Sequence, residues 1–189
     1  MDFVTHALTG LAVSTLFGFG RKETLITVIA SVLPDIGELP IQYRLTEKHG
    51  VSALAVYDHR TTDPSVAGDL SVTWLYDTTH SLTTVALWAI VGWYLPRQQG
   101  CFFRFVALGW FLHVLLDVPT HGKVWGLKLL FLFSNDRILL GSNWWDWQPQ
   151  GTVFGFALPV AVMYGWVFLF GVIGLGYRKV YLINFLKGR

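Results

Sequence analysis

Long apolar runs without a single charged side chain set the first limit on what this chain can become. No Asp, Glu, Lys or Arg occurs in residues 3–20, 81–95 or 153–176, and the last of these runs is 24 residues long. About 20 helical residues cross a hydrocarbon core of ~30 Å. In lipid, only a helix or a closed barrel satisfies its own backbone. Composition points the same way, with 53% of the 189 residues hydrophobic and 14% charged, which argues against a water-soluble enzyme. The net charge is +2 and no block of like charges occurs, so nothing marks a nucleic-acid partner. Cys101 is the sole cysteine. An internal disulfide and a cysteine-based zinc site are both excluded, and any metal has to be held by His and carboxylates.

Five spans are expected, at residues 3–20, 24 to about 41, 81–95, 102–118 and 153–176. Met1-Asp2 lacks the basic region of a secretory signal, so the first segment reads as a retained span. Pro34, Asp35, Glu38 and Pro40 interrupt the second, which crosses only if it continues to about Ile41. The fold class expected is therefore all-α: a multi-pass helical bundle of about five transmembrane helices, forming one integral membrane domain over residues 1–189. Residues 42–79 and 119–151 read as connecting segments on the non-cytoplasmic side. The second of these carries Trp144-Trp145-Asp146-Trp147, a composition suited to the lipid–water interface.

Orientation follows from the basic residues near the span ends. With the amino terminus outside and the carboxy terminus cytoplasmic, the inner side holds eight basic residues and one acid, and the outer side six basic residues and eleven acids. The net charges are then +7 and −5. That arrangement also gathers the polar residues of the spans. His6 falls at the outer end of the first span and Asp35 and Glu38 at that of the second. Asp77 and His80 begin the third, and His113 and Asp117 lie towards the outer end of the fourth, with His121 just beyond. Ionisable groups inside spans are functional by default, so one shared site is the simplest account.

Each member also has a plainer reading. His113 and Asp117, four apart on a helix, can present a nitrogen and a carboxylate to one ion or can simply hydrogen-bond. Pro119 is expected to end that helix, leaving His121 in a turn where it ligates, orients substrate or faces water. Asp35 after Pro34 reads as a ligand or as a turn residue. Asp77 reads best as the N-cap of the third span, with His80 in its first turn. A hydrolytic centre needs His nitrogens, carboxylate oxygens and room for water. The set His6, Asp35, His80, His113, Asp117 and His121 suits one or two divalent ions, zinc foremost, with two preferred. Asp35 or Glu38 would take the proton of the activated water.

At these residues the chain resembles a known family, the membrane-bound metal-dependent hydrolases of bacteria and archaea, which are predicted inner-membrane proteins. The likeness runs through Met1-Asp-Phe-Val-Thr-His6-Ala-Leu-Thr-Gly10, Leu33-Pro-Asp35, Thr79-His80-Ser-Leu82 and His113-Val-Leu-Leu-Asp117-Val-Pro-Thr-His121-Gly122. Phe133-Ser-Asn-Asp136-Arg137 and Gly141-Ser-Asn-Trp144-Trp145 look like the tail of a subgroup. The family is described as similar to zinc-dependent phospholipases C and related nucleases, all-helical enzymes with clustered zinc. The resemblance implies His6, Asp35, His80, His113 and Asp117 as ligands. One departure is visible: many members carry a His-Arg pair before the Thr-His-Ser motif, where this chain reads Leu75-Tyr76-Asp77, with Asp58-His59-Arg60 earlier.

The expectation is thus an inner-membrane hydrolase that uses metal-activated water on a lipid or other phosphoester, with membrane lipids as its surroundings and no nucleic acid. Two alternatives stand beside it. A transporter or metal-handling protein would place polar groups on broken helices near the midplane. An inactive membrane scaffold would keep the same residues for helix packing.

Overall fold

The computed structural model describes residues 3–50, 65–66, 69–121 and 126–138, together with 152–153, 156–157 and 165. Helices α1 (Phe3–Leu16) and α2 (Arg21–Val32) open the chain. A 3-10 segment (Leu33–Glu38) and α3 (Leu39–His49) follow, then α4 (Leu70–Thr79), α5 (Leu82–Tyr94) and α6 (Arg97–Thr120). Helix α2 packs between α1 and α6, α5 lies along α6, and the 3-10 segment rests on α4.

The distribution of side chains is the reverse of a water-soluble bundle. On α1 the buried residues are Thr5, His6, Gly10, Ala12, Ser14 and Thr15. Phe3 is 64% exposed, and Leu25 of α2 and Leu115 of α6 are 59% and 52% exposed. Helices whose outer solvent is lipid gain nothing by burying such residues, and they pack through small and polar side chains that let backbones approach. Thr9, Thr15 and Thr27 return their hydroxyls to carbonyls one turn back, which satisfies them without a partner helix. At Gly109 the packing admits no side chain: a Cβ there would meet the Thr27 carbonyl oxygen and lie 2.8 Å from Ala30 Cβ.

Pro34 does not end the second apolar segment. Helix runs without interruption from Arg21 to His49, 29 residues, by changing its winding at Leu33. Pro34 and Pro40 each fall at the first or second position of a new segment, where an N–H has no partner in its own segment. Glycine is needed at Gly37, where a Cβ would press on Thr79 Oγ1 and come within 2.9 Å of Tyr76 Cα. Gly50 closes α3 with φ 64°.

Two helical stretches are long and apolar enough to cross a membrane, Arg21–His49 and Arg97–Thr120; Phe3–Leu16 and Leu82–Tyr94 are apolar but shorter. The expected count of five is therefore not reached among the described residues. The fifth run does not start as a helix at Val153, because Thr152–Val153 and Phe156–Ala157 pair as a two-residue antiparallel ladder. Most of that run, Asp58-His59-Arg60 and the cluster at Trp144 to Trp147 lie outside the described residues. The connecting segment at 42–79 contributes most of α3 and all of α4.

The start of the third span also differs from expectation. Asp69 caps α4, accepting from the Ser71 amide at 2.9 Å and its hydroxyl at 2.6 Å. These bonds hold the Asp69 carboxyl below its ordinary range. Helix α4 ends at His80, and Ser81 caps α5 by accepting from the Thr84 amide. Asp77 is thus a buried residue near the end of α4 and caps nothing. Its carboxylate meets Lys128 Nζ at 2.7 Å and Arg137 Nη1 at 3.6 Å. Those two cations belong to residues 126–138, where Leu127 bridges Ile138. The same segment meets α5 where the Leu82 amide donates to the Leu129 carbonyl at 2.8 Å. Ile41, Leu45, Val72, Tyr76, Val114 and Leu127 form part of the apolar core joining α3, α4, α6 and this segment.

Candidate functional site

The change of winding after Val32 helps to create the site. A 3-10 turn bonds i to i+3, and Pro34 donates no N–H, so carbonyls at the end of α2 leave the ordinary helical ladder. One of them, on Ser31, accepts a hydrogen bond from His113 Nδ1 at 2.8 Å. The hydroxyl of Ser31 donates to the His6 carbonyl at 2.8 Å. A single residue of α2 therefore sets α1 and α6 against each other. On the opposite side Thr79 Oγ1 donates to the Pro34 carbonyl at 3.0 Å, and Trp110 Nε1 to the Thr79 carbonyl at 2.6 Å.

Within this frame four imidazoles surround Asp117. Its Oδ1 lies 3.3 Å from His6 Nε2 and 3.5 Å from His121 Nδ1; its Oδ2 lies 3.0 Å from His113 Nε2 and 3.4 Å from His80 Nε2. Each oxygen thus faces two histidines. Asp35 Oδ1 is 3.7 Å from His113 Nε2. Glu38, buried beside it, accepts from Gln42 Nε2 at 3.3 Å. The rings are packed as well, with His6 stacked on His113 at 3.7 Å between centroids and His80 stacked on Tyr76 at 4.2 Å.

Proton placement follows from the carbonyls. A carbonyl oxygen only accepts, so His113 Nδ1 must carry the proton in its bond to Ser31, and His80 Nδ1 the proton in its 3.0 Å bond to the Tyr76 carbonyl. His121 Nδ1 makes a longer contact of the same kind, 3.3 Å to the Asp117 carbonyl. In each neutral ring Nε2 is then left with a lone pair. The Nε2 atoms of His80 and His113 and both ring nitrogens of His6 are buried without a hydrogen bond. A lone pair facing a carboxylate oxygen at 3.0 Å in a buried site is costly unless positive charge lies between them. Metal-ligating histidines show this pattern, one ring nitrogen fixed by a carbonyl and the other free to ligate.

Three sets of ligand atoms come within 4.8 Å of one another: His6, Asp35 and His113; His80, His113 and Asp117; and Asp35, Glu38 and His80. Imidazole and carboxylate suit zinc, manganese or iron. The donor set thus fits one divalent ion or two sharing carboxylates. Of the residues singled out from sequence, His6, Asp35, Glu38, His80, His113, Asp117 and His121 are brought together here. His121 is buried at the C-cap of α6, because that helix passes Pro119 and reaches Thr120, and it does not face water. Asp77 is occupied by Lys128. The sequence does not single out Ser31 or Trp110, and Tyr76 and Thr79 enter it only as neighbours of His80 in the quoted motifs. The only sequence signal for Ser31 is a small polar residue in the apolar stretch Val28 to Leu33.

A family model described as YdjM inner membrane protein matches residues 1–185. That description names a membrane and no reaction. No curated protein and no solved structure matches the chain.

Proposed function

The chain belongs to the YdjM inner membrane protein family, and on that premise we propose that it is a multi-pass, metal-dependent hydrolase of a lipid or other phosphoester. The observation that carries this reading is the convergence of the buried His6, His80 and His113 nitrogens on Asp117, with two of the rings held by backbone carbonyls. His6, Asp35, His80, His113, Asp117 and His121 would hold one or two divalent ions, zinc foremost. Such an ion supplies Lewis acidity and lowers the pKa of a water. Glu38 and Asp35 stand beside the ligand nitrogens, and either carboxylate would serve as the proton acceptor for an activated water.

A lipid substrate is favoured by the surroundings of Asp35, which keeps 20% of its side-chain surface exposed. Ile36, Leu39 and Tyr43 are exposed next to it, an apolar rim against which an acyl chain can lie. The excess of basic residues at the other ends of the spans supports a site on the non-cytoplasmic side, with the amino terminus outside and the carboxy terminus cytoplasmic.

The test is turnover of a chromogenic phosphodiester and of phosphatidylglycerol by purified full-length protein supplied with zinc or manganese. Hydrolysis lost in His113→Ala and Asp117→Ala supports the proposal, and equal turnover in these variants contradicts it. A second reading, metal transport, is favoured by the 3-10 change of winding in the helix Arg21–His49 beside Asp35 and Glu38. Zinc uptake by proteoliposomes without phosphodiester turnover would select it.

A further inference from the structure

At the end of the bundle opposite the histidine cluster, a cavity of about 480 Å³ opens between the start of α2 and the start of α6. Lys22 to Asp35 is 13 residues, about 20 Å of helix, so this cavity is well separated from the site above. Lys22 and Arg97 supply two cations to its wall, and Ile26, Phe102 and Phe105 supply an apolar floor. Among the described residues neither Lys22 nor Arg97 has an ion pair or a side-chain hydrogen bond. Glu23, the one acid of the wall, folds back on Gly20. Phe105 is fixed by Phe19, edge to face at 4.9 Å. Leu25 and Phe102 are exposed and extend the lipid-facing surface to the rim.

We propose that this cavity binds an anionic phospholipid, its phosphate between Lys22 and Arg97 and the first part of an acyl chain on Phe102 and Phe105. Charge complementarity selects the headgroup: two cations against one acid, at the start of two helices whose first amides also favour an anion. The apolar floor and the exposed Leu25 and Phe102 select a lipid over free phosphate, because an inorganic ion leaves that surface uncovered. Basic side chains at a membrane surface attract acidic lipid with an energy set mainly by their number. The proposal is independent of any reaction at the histidine cluster.

Cys101 lines the same cavity and is the only cysteine in the chain, so it reports occupancy directly. The experiment follows N-ethylmaleimide labelling of Cys101 by mass spectrometry, on full-length protein in neutral detergent. Phosphatidylglycerol, phosphatidylcholine or inorganic phosphate is added in turn. Phosphatidylglycerol slows labelling, whereas phosphatidylcholine and phosphate do not; Lys22→Gln and Arg97→Gln each weaken the protection about fivefold. Native mass spectrometry checks the result without the thiol, with bound phosphatidylglycerol falling in the Lys22→Gln/Arg97→Gln double variant. Protection by phosphatidylcholine or by phosphate alone, protection unchanged in the double variant, or absence of both protection and bound lipid overturns the proposal.

Discussion

The Ser31 carbonyl accepts the Nδ1 proton of His113 at 2.8 Å, and this bond turns the other nitrogen of the ring towards Asp117. The serine hydroxyl, bonded to the His6 carbonyl, ties a second histidine to the same point of α2. Ser31→Ala keeps the carbonyl and deletes the hydroxyl. One buried hydrogen bond is worth about 1 kcal/mol, so a modest fall in thermal stability is expected in detergent. Loosened outer contacts of metal-ligating groups cost about 10- to 100-fold in affinity, and a zinc titration of this variant should show weakening at the low end of that range.

The ion pair of Asp77 and Lys128 joins α4 to residues 126–138, and both side chains are buried. Removing one partner leaves a buried charge alone, at a cost of about 3–5 kcal/mol. Asp77→Ala is therefore expected to unfold at much lower temperature than the parent protein, since it removes the carboxylate that faces both Lys128 and Arg137. Asp77→Leu combined with Lys128→Met should recover most of the difference. Thermal unfolding of the singles and the double checks this, and additive losses would show that the pair is not coupled.

Gly109 sets the spacing of α2 and α6. In Gly109→Ala the new Cβ meets the Thr27 carbonyl oxygen, Ala30 Cβ and the Ser31 nitrogen, mostly backbone that cannot turn aside. Overpacking of this kind costs about 1–3 kcal/mol. Because Ser31 moves with α2, zinc affinity should fall as well, although residue 109 carries no ligand atom. A variant with lowered stability and unaltered zinc affinity would separate helix packing from the site.

Much of the site was legible because helix periodicity and span ends are local properties. The separation of His113 and Asp117 by four residues fixes them on one face whatever the rest of the fold does, and the alternation of span direction carries His6, Asp35 and His80 to the same end. Asp77 was misread for an equally physical reason. An acid ahead of an apolar run has the chemistry of an N-cap, but Ser81 has it too, and the choice depends on Lys128 and Arg137, about 50 residues or more away. The role of the Ser31 carbonyl was not legible at all, since any residue supplies a carbonyl and only the winding change at Leu33 frees this one. Pro119 has the sequence signature of a helix stop. Near a helix end a proline removes one bond only, and α6 continues for one further residue to put His121 against Asp117.

Asp117 and its surrounding histidines are proposed to hold a metal. The most direct measurement is the metal content of the full-length protein, purified without chelator, compared with that of His113→Ala and Asp117→Asn variants confirmed as folded by circular dichroism. About one or two divalent ions per chain are expected, zinc foremost, reduced several-fold in both variants. No stoichiometric metal in the parent protein, together with no uptake of added zinc or manganese, would contradict it.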